Sequence, residues 1–143
     1  SPDNIKYDAQ ADHYLGYPFD HTLYENTKYS IVAETHCNQY DPFMITEKTA
    51  RAIINKHPFV MASTPRFLEK LRAREYETFS ELWPENYDLE SDDDQRMQMV
   101  ADTVKYIYSN PINWVRAYEI SQNNYKRLHR RYDNAVARLV QTL

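Results

Sequence analysis

The stretch "FMITEKTARAIINKHPFVMAS", residues 43–63, sets a short apolar-faced helix directly before a compact apolar run. Thr46 stands where an N-cap is needed, because its hydroxyl can accept from an amide two or three residues on. Ala50, Ile53 and Ile54 then share one helical face. His57-Pro58 ends the helix, since proline disfavours helical backbone in the residue before it. "PFVMAS" follows as a short buried strand.

Upstream, "KYSIVAET", residues 28–35, has a continuous apolar centre at Ile31-Val32-Ala33, the pattern of a buried strand, and closes on Glu34. Downstream, Thr64-Pro65 predicts an N-cap with proline at the first helical position, and Phe67, Leu68 and Leu71 form that helix's buried stripe. "YETFSELW", residues 76–83, reads as a third short strand. The resulting β-α-β-α-β order predicts an α/β fold, a small parallel sheet flanked by helices with right-handed crossovers.

Ser91 with Asp94 resembles a capping box and opens a helix carrying Met97, Val100, Val104 and Ile107, which Asn110-Pro111 ends. From Trp114 onward, apolar or aromatic residues at 114, 118, 125, 128, 132, 135 and 139 predict one long amphipathic helix, with Ser121 the gap in the series. Its Trp114, Leu128, Tyr132 and Leu139 side is expected to pack against the domain or a second copy. Arg116, Lys126, Arg127, Arg130, Arg131 and Arg138, set against Glu119 and Asp133, read first as a solvated face and second as a phosphate- or partner-binding one. The chain thus divides into an irregular segment 1–27, an α/β domain 28–112 and a C-terminal helix 113–143.

A length of 143 residues accommodates one domain with a real core, but not two nucleotide-fold domains. Net charge −4 and a pI near 5.7 argue against general nucleic-acid affinity. Tyr125 and Tyr132 sit on the apolar stripe and read as core, not as base-stacking platforms. Cys37 is the only cysteine, so there is neither an intrachain disulfide nor a thiolate zinc cage, which points to the cytoplasm. No apolar run approaches the roughly 20 residues of a membrane span, and no signal-peptide pattern stands at the start.

Gly16 is the only glycine, which excludes a glycine-rich phosphate loop. Any phosphate here must be held by helix N-termini and side chains. His13 and His21, with Asp12 and Asp20, read as surface polar residues, and "SDDDQ" as capping charge. No metal site is expected. His36 and Cys37, adjacent on extended chain, point apart and lack an orienting third group for nucleophilic chemistry.

Residues 29–63, "YSIVAETHCNQYDPFMITEKTARAIINKHPFVMAS", and 67–88, "FLEKLRAREYETFSELWPENYD", resemble the donor-nucleotide (C-terminal) domain of GT-B glycosyltransferases, particularly the α1,3-fucosyltransferase-like group and related phage-encoded proteins. In that family a strand ending in Glu is followed by a loop, a Thr-Glu-Lys or Ser-Glu-Lys helix and a strand. A leucine-rich helix, a Thr-Phe turn and a Glu-Ser-Tyr-Asp-like segment come next. Members often carry glycine near the end of the second strand and before the Thr-Phe turn, where this chain has Ala62-Ser63 and Glu75-Tyr76.

The resemblance implies a single Rossmann-like GT-B half binding a nucleotide sugar as substrate, without a resident cofactor. It assigns Glu47 to the ribose diol, Lys48 to the diphosphate, Thr46 to capping and phosphate contact, and Glu34 to the neighbourhood of the sugar. The chemistry is coherent: a carboxylate accepts two hydrogen bonds from a diol, and a helix N-terminus with a lysine attracts a diphosphate. No acceptor domain is present, so catalysis needs that domain or a partner subunit. The expected compartment is the cytoplasm, the host's if the protein is phage-encoded. The alternative is a non-catalytic assembly or interaction protein reusing the fold, for example a phage structural or host-interaction protein, with homo-oligomer formation through the C-terminal helix a further expectation.

Overall fold

The computed structural model describes residues 22–34 and 45–142. The readings placed on Asp12, His13, Asp20, His21, His36 and Cys37 lie outside the described residues. Two four-residue strands, β1 (Ser30–Ala33) and β2 (Phe59–Ala62), pair in parallel, with Ser30 opposite Phe59 and Ala33 opposite Ala62. The ladder continues at both ends, Ser30 N donating to Pro58 O (2.9 Å) and Glu34 N to Ala62 O (3.1 Å). Helix α2 (Glu47–Ile54) lies between them in sequence, after the single turn of α1 (Thr22–Glu25). The expected β-α-β unit is therefore present.

Further along come α3 (Phe67–Ala73), a 3-10 turn (Asn86–Leu89), α4 (Asp93–Ser109) and α5 (Trp114–Gln141). The molecule is α/β, with a small two-stranded parallel sheet and a long C-terminal helix. Phe59, Val60 and Met61 of β2 are buried, whereas in β1 only Val32 is buried and Ile31 is exposed. Ala52 and Ile53 of α2, Phe67, Leu68 and Leu71 of α3, Val100 and Ile107 of α4, and Ala117 and Ile120 of α5 complete the core. Aromatic rings fill its centre: Phe79 meets Phe59 edge-on at 5.2 Å and stacks on Trp83 at 5.1 Å.

Residues 76–83 do not form the expected third strand. Their backbone groups find partners in side chains: the Asn124 carboxamide accepts from Glu77 N (2.8 Å) and donates to Glu77 O (2.9 Å), and Glu85 accepts from Phe79 N (3.1 Å). A segment satisfied in this way needs no neighbouring strand. Trp83 N and Leu82 N then fold back onto Phe79 O as a turn.

The α3 cap also differs from the Thr64-Pro65 expectation. Arg66 is the N-cap, in the left-handed region at φ 65°, with no side-chain cap bond of its own. Asp88 supplies the missing acceptor, taking Leu68 N (2.8 Å) and Glu69 N (3.0 Å). For α4 the cap is Asp92, not Ser91, its carboxylate accepting from Gln95 N at 2.8 Å.

With one glycine in the chain, two helices end on charged residues at the left-handed position. Lys56 (φ 50°) and Glu75 (φ 66°) occupy it after α2 and α3. In each case the next two amides return to the helix: Lys56 N to Ile53 O and His57 N to Ala52 O, then Glu75 N to Arg72 O and Tyr76 N to Leu71 O. This is the Schellman pattern, usually made with glycine.

The terminal helix packs for only part of its length. Ala117, Ile120, Ser121 and Asn124 are buried and Leu128 is half-buried, but residues 130–142 are exposed, Tyr132 and Leu139 among them. Of the side expected to pack against the domain or a second copy, Trp114 and Leu128 pack against the core, whereas Tyr132 and Leu139 do not meet the domain, because the globular part ends before the helix does. No helix among the described residues is long and apolar enough to cross a membrane.

Candidate functional site at the start of helix α2

Glu34 follows the last residue of β1 and is 9 % exposed. A buried carboxylate needs hydrogen-bond donors, and the first turn of α2 supplies them. Oε1 accepts from Thr46 N (3.3 Å), Thr49 N (3.2 Å) and the Thr49 hydroxyl, while Oε2 accepts from Thr46 Oγ1 (2.6 Å). Thr46 Oγ1 in turn accepts from Lys48 N at 3.3 Å, which makes Thr46 the N-cap that its sequence position suggests.

This is a capping box with a substituted member. The carboxylate that normally comes from the third helical residue comes here from a strand, and Thr49, the buried residue at that third position, donates to it. Thr49 is the participant that sequence reasoning missed. The Thr46/Thr49 spacing, with a strand-terminal Glu upstream, was the available signal.

Glu47 and Lys48 lie on the same first turn and are exposed. Glu34 and Thr46 therefore fix the turn from below, and the two charged side chains leave it on the solvent side. The four expected site residues, Glu34, Thr46, Glu47 and Lys48, are contiguous around one helix start at the carboxyl end of β1. Their roles divide, however. Both Glu34 oxygens are engaged by the fold, and its negative charge already faces the partial positive charge of the helix end.

The second helix start shows the same device. Asp88 plugs the N-terminus of α3, beyond the carboxyl end of β2, and Arg66 N donates to its carbonyl at 2.6 Å. Asp88 belongs to the Glu85-Asn86-Tyr87-Asp88 run, each of whose buried members holds a different element. Glu85 takes Phe79 N and pairs with Arg72 at 3.5 Å, and burial pushes its carboxyl above the usual range. Tyr87 OH accepts from Met61 N of β2 at 3.2 Å, and burial, with Glu85 next, drives its phenol well above its ordinary value.

On the amino side of the strands, His57 is 2 % exposed. Its Nε2 faces the Thr27 carbonyl at 2.8 Å, which can only accept, so Nε2 carries the proton and Nδ1 accepts from Ser30 Oγ at 2.7 Å. Burial lowers its pKa, only partly offset by the Thr27 contact. The arrangement ties β1 to the end of α2 and is structural in character.

Among the described residues no group of three or more His, Cys, Asp or Glu is placed to hold a metal ion. Comparison with protein-family models, with curated proteins and with solved structures gives no match to this chain.

Proposed function

We propose that this chain is the nucleotide-sugar-binding part of a cytoplasmic glycosyltransferase, a Rossmann-like GT-B half whose catalysis is completed by an acceptor domain or partner subunit. The observation that carries the reading is the exposed Glu47-Lys48 pair on a rigidly anchored helix start at the carboxyl end of a parallel strand, where open α/β sheets bind their ligands. The Glu47 carboxylate accepts the two ribose hydroxyls, and the Lys48 ammonium faces the diphosphate. Glu34 and Thr46 act as positioning residues. The amides of Thr46, Lys48 and Thr49 already have partners within the fold, so the diphosphate is held by the lysine side chain more than by the helix end.

Calorimetry with a panel of nucleoside diphosphates and nucleotide sugars tests this. Weak binding without sugar transfer is expected. Glu47→Gln and Lys48→Ala should each weaken binding by about 1.5–3 kcal/mol, the range for hydrogen bonds to charged groups. The second reading, a non-catalytic assembly protein, is favoured by the plugging of both helix starts with the chain's own carboxylates, Glu34 and Asp88. No binding by folded wild type, or equal binding by both variants, leaves that reading in place of the first.

A further inference from the structure

The two strands of the sheet present different outer edges. Along a parallel ladder each residue turns its N–H and C=O to the same side, so alternate residues serve opposite edges. Ser30 N donates to Pro58 O and Glu34 N to Ala62 O, and Val32 stands opposite Met61, so Ser30, Val32 and Glu34 face β2. The main-chain groups of Ile31 and Ala33 therefore point away from β2, and those of Phe59 and Met61 point away from β1.

The outer edge of β2 is closed. Phe59 and Met61 are buried, α4 packs against the strand, and Met61 N donates to Tyr87 OH at 3.2 Å. The outer edge of β1 is open. Ile31 is 55 % exposed, Ala33 is exposed, and among the described residues the N–H and C=O of neither has a hydrogen-bond partner. Edges are normally guarded by a charge or a proline, and Ser30–Ala33 contains neither. The adjacent Glu34 turns its carboxylate into the start of α2.

Donors and acceptors alternating along a strand edge call for extended backbone as the partner. A second copy of β1 meets that requirement in full. Turned antiparallel about a twofold axis at Val32, it sets Ile31 of each copy opposite Ala33 of the other. Both pairs exchange two hydrogen bonds, so every outward group of both strands is satisfied. The side chains agree with this register, since each exposed Ile31 lies beside a small Ala33 on the open face. A two-residue shift either way leaves one outward residue beyond the four-residue strand of the other copy.

We propose that β1 of one copy pairs antiparallel with β1 of a second, making one continuous β2-β1-β1-β2 sheet across a twofold dimer. The closed edge of β2 ends the sheet on both sides, which limits assembly to two chains. The contact is short and belongs with weak, transient interfaces. It does not depend on the donor-site reading, which uses the carboxyl end of β1 and not its edge.

Sedimentation equilibrium tests this at loading concentrations up to about 0.5 mM, where a dimer with Kd on the order of 0.1 mM is well populated. Wild type is expected to dimerise. Ile31→Lys with Ala33→Lys sets like charges opposite one another and should weaken the dimer at least about tenfold. Ile31→Lys with Ala33→Glu sets opposite charges together in this register alone and should recover the dimer. Both positions are exposed, and circular dichroism verifies the fold of each variant. A monomeric wild type, species larger than a dimer, a double-lysine variant that dimerises as wild type does, or a Lys–Glu variant that fails to recover would each overturn the proposal.

Discussion

The side chain of Asn124 grips the backbone of Glu77 from both sides, accepting from its amide at 2.8 Å and donating to its carbonyl at 2.9 Å across 47 residues of sequence. The contact reproduces with one carboxamide what a neighbouring strand would otherwise provide, and it fastens the terminal helix to the 76–83 segment. Asn124 is 1 % exposed. Its replacement by Ala leaves two partly buried backbone groups without partners and should destabilise the fold by about 2–4 kcal/mol, at roughly 1–2 per group. Urea unfolding measures this, and a loss below about 1 kcal/mol would show that water replaces the amide.

The terminal helix should divide functionally near residue 129. A chain ending at Asn113 loses Ala117, Ile120 and the Asn124 grip, and large buried apolar side chains contribute about 1.5–3 kcal/mol each. Cooperative thermal unfolding should be lost. A chain ending at His129 removes a stretch whose described residues, 130–142, are all exposed, and should melt as wild type does. Matching melting curves for the two truncations would contradict this division.

Acid should weaken the fold through His57. Its folded-state pKa is depressed by burial below the ordinary 6.5, so the neutral ring contributes stability that is complete above 6.5 and is lost as pH falls through the folded value. Between pH 7 and 5, stability should decline with a slope no steeper than about 1.4 kcal/mol per pH unit from this one group. In His57→Gln that part of the slope should vanish. A slope unchanged by the substitution would assign acid sensitivity elsewhere.

Glu75→Gly should be stabilising. Glu75 holds the left-handed position after α3 at φ 66°, a conformation costing an L-residue about 1–2 kcal/mol, whereas glycine enters it freely. Against this stand glycine's larger entropy in the unfolded chain and the exposed Arg127–Glu75 ion pair at 2.9 Å, each smaller. A net gain of about 0.5–1 kcal/mol, seen as a melting point raised by a few degrees, is expected. A lower melting point would mean the ion pair outweighs the backbone.

The parts of this fold that were legible in the sequence are those made by neighbours in the chain. The helix from Glu47, its Thr46 cap, the β2 run and the start of the long helix at Trp114 all follow from periodicity, capping and proline, which act over a few residues. What escaped is side-chain-to-backbone closure at a distance: Thr49 with Glu34, 15 residues apart, and Leu68 with Asp88, 20 apart. Asp88 made Thr64 unnecessary as a cap, and Asn124 made a third strand unnecessary. The Ser121 gap, by contrast, is closed locally: its hydroxyl donates to Ala117 O one turn back at 3.0 Å and so is buried with its donor satisfied. At the candidate site the helix start and its charged pair were readable, but the use of Glu34 as an internal plug was not.

Glu34 also joins two elements into one opening unit. Its amide is the last rung of the sheet, on Ala62 O, and its carboxylate is the acceptor for the first turn of α2. The strand end cannot fray while the carboxylate stays in place, and the helix start cannot unwind without leaving a buried anion with too few donors. Hydrogen exchange should therefore report a single local opening event here, with the Glu34 and Thr49 amides exchanging at a common opening free energy below that of Val60 in the centre of the sheet.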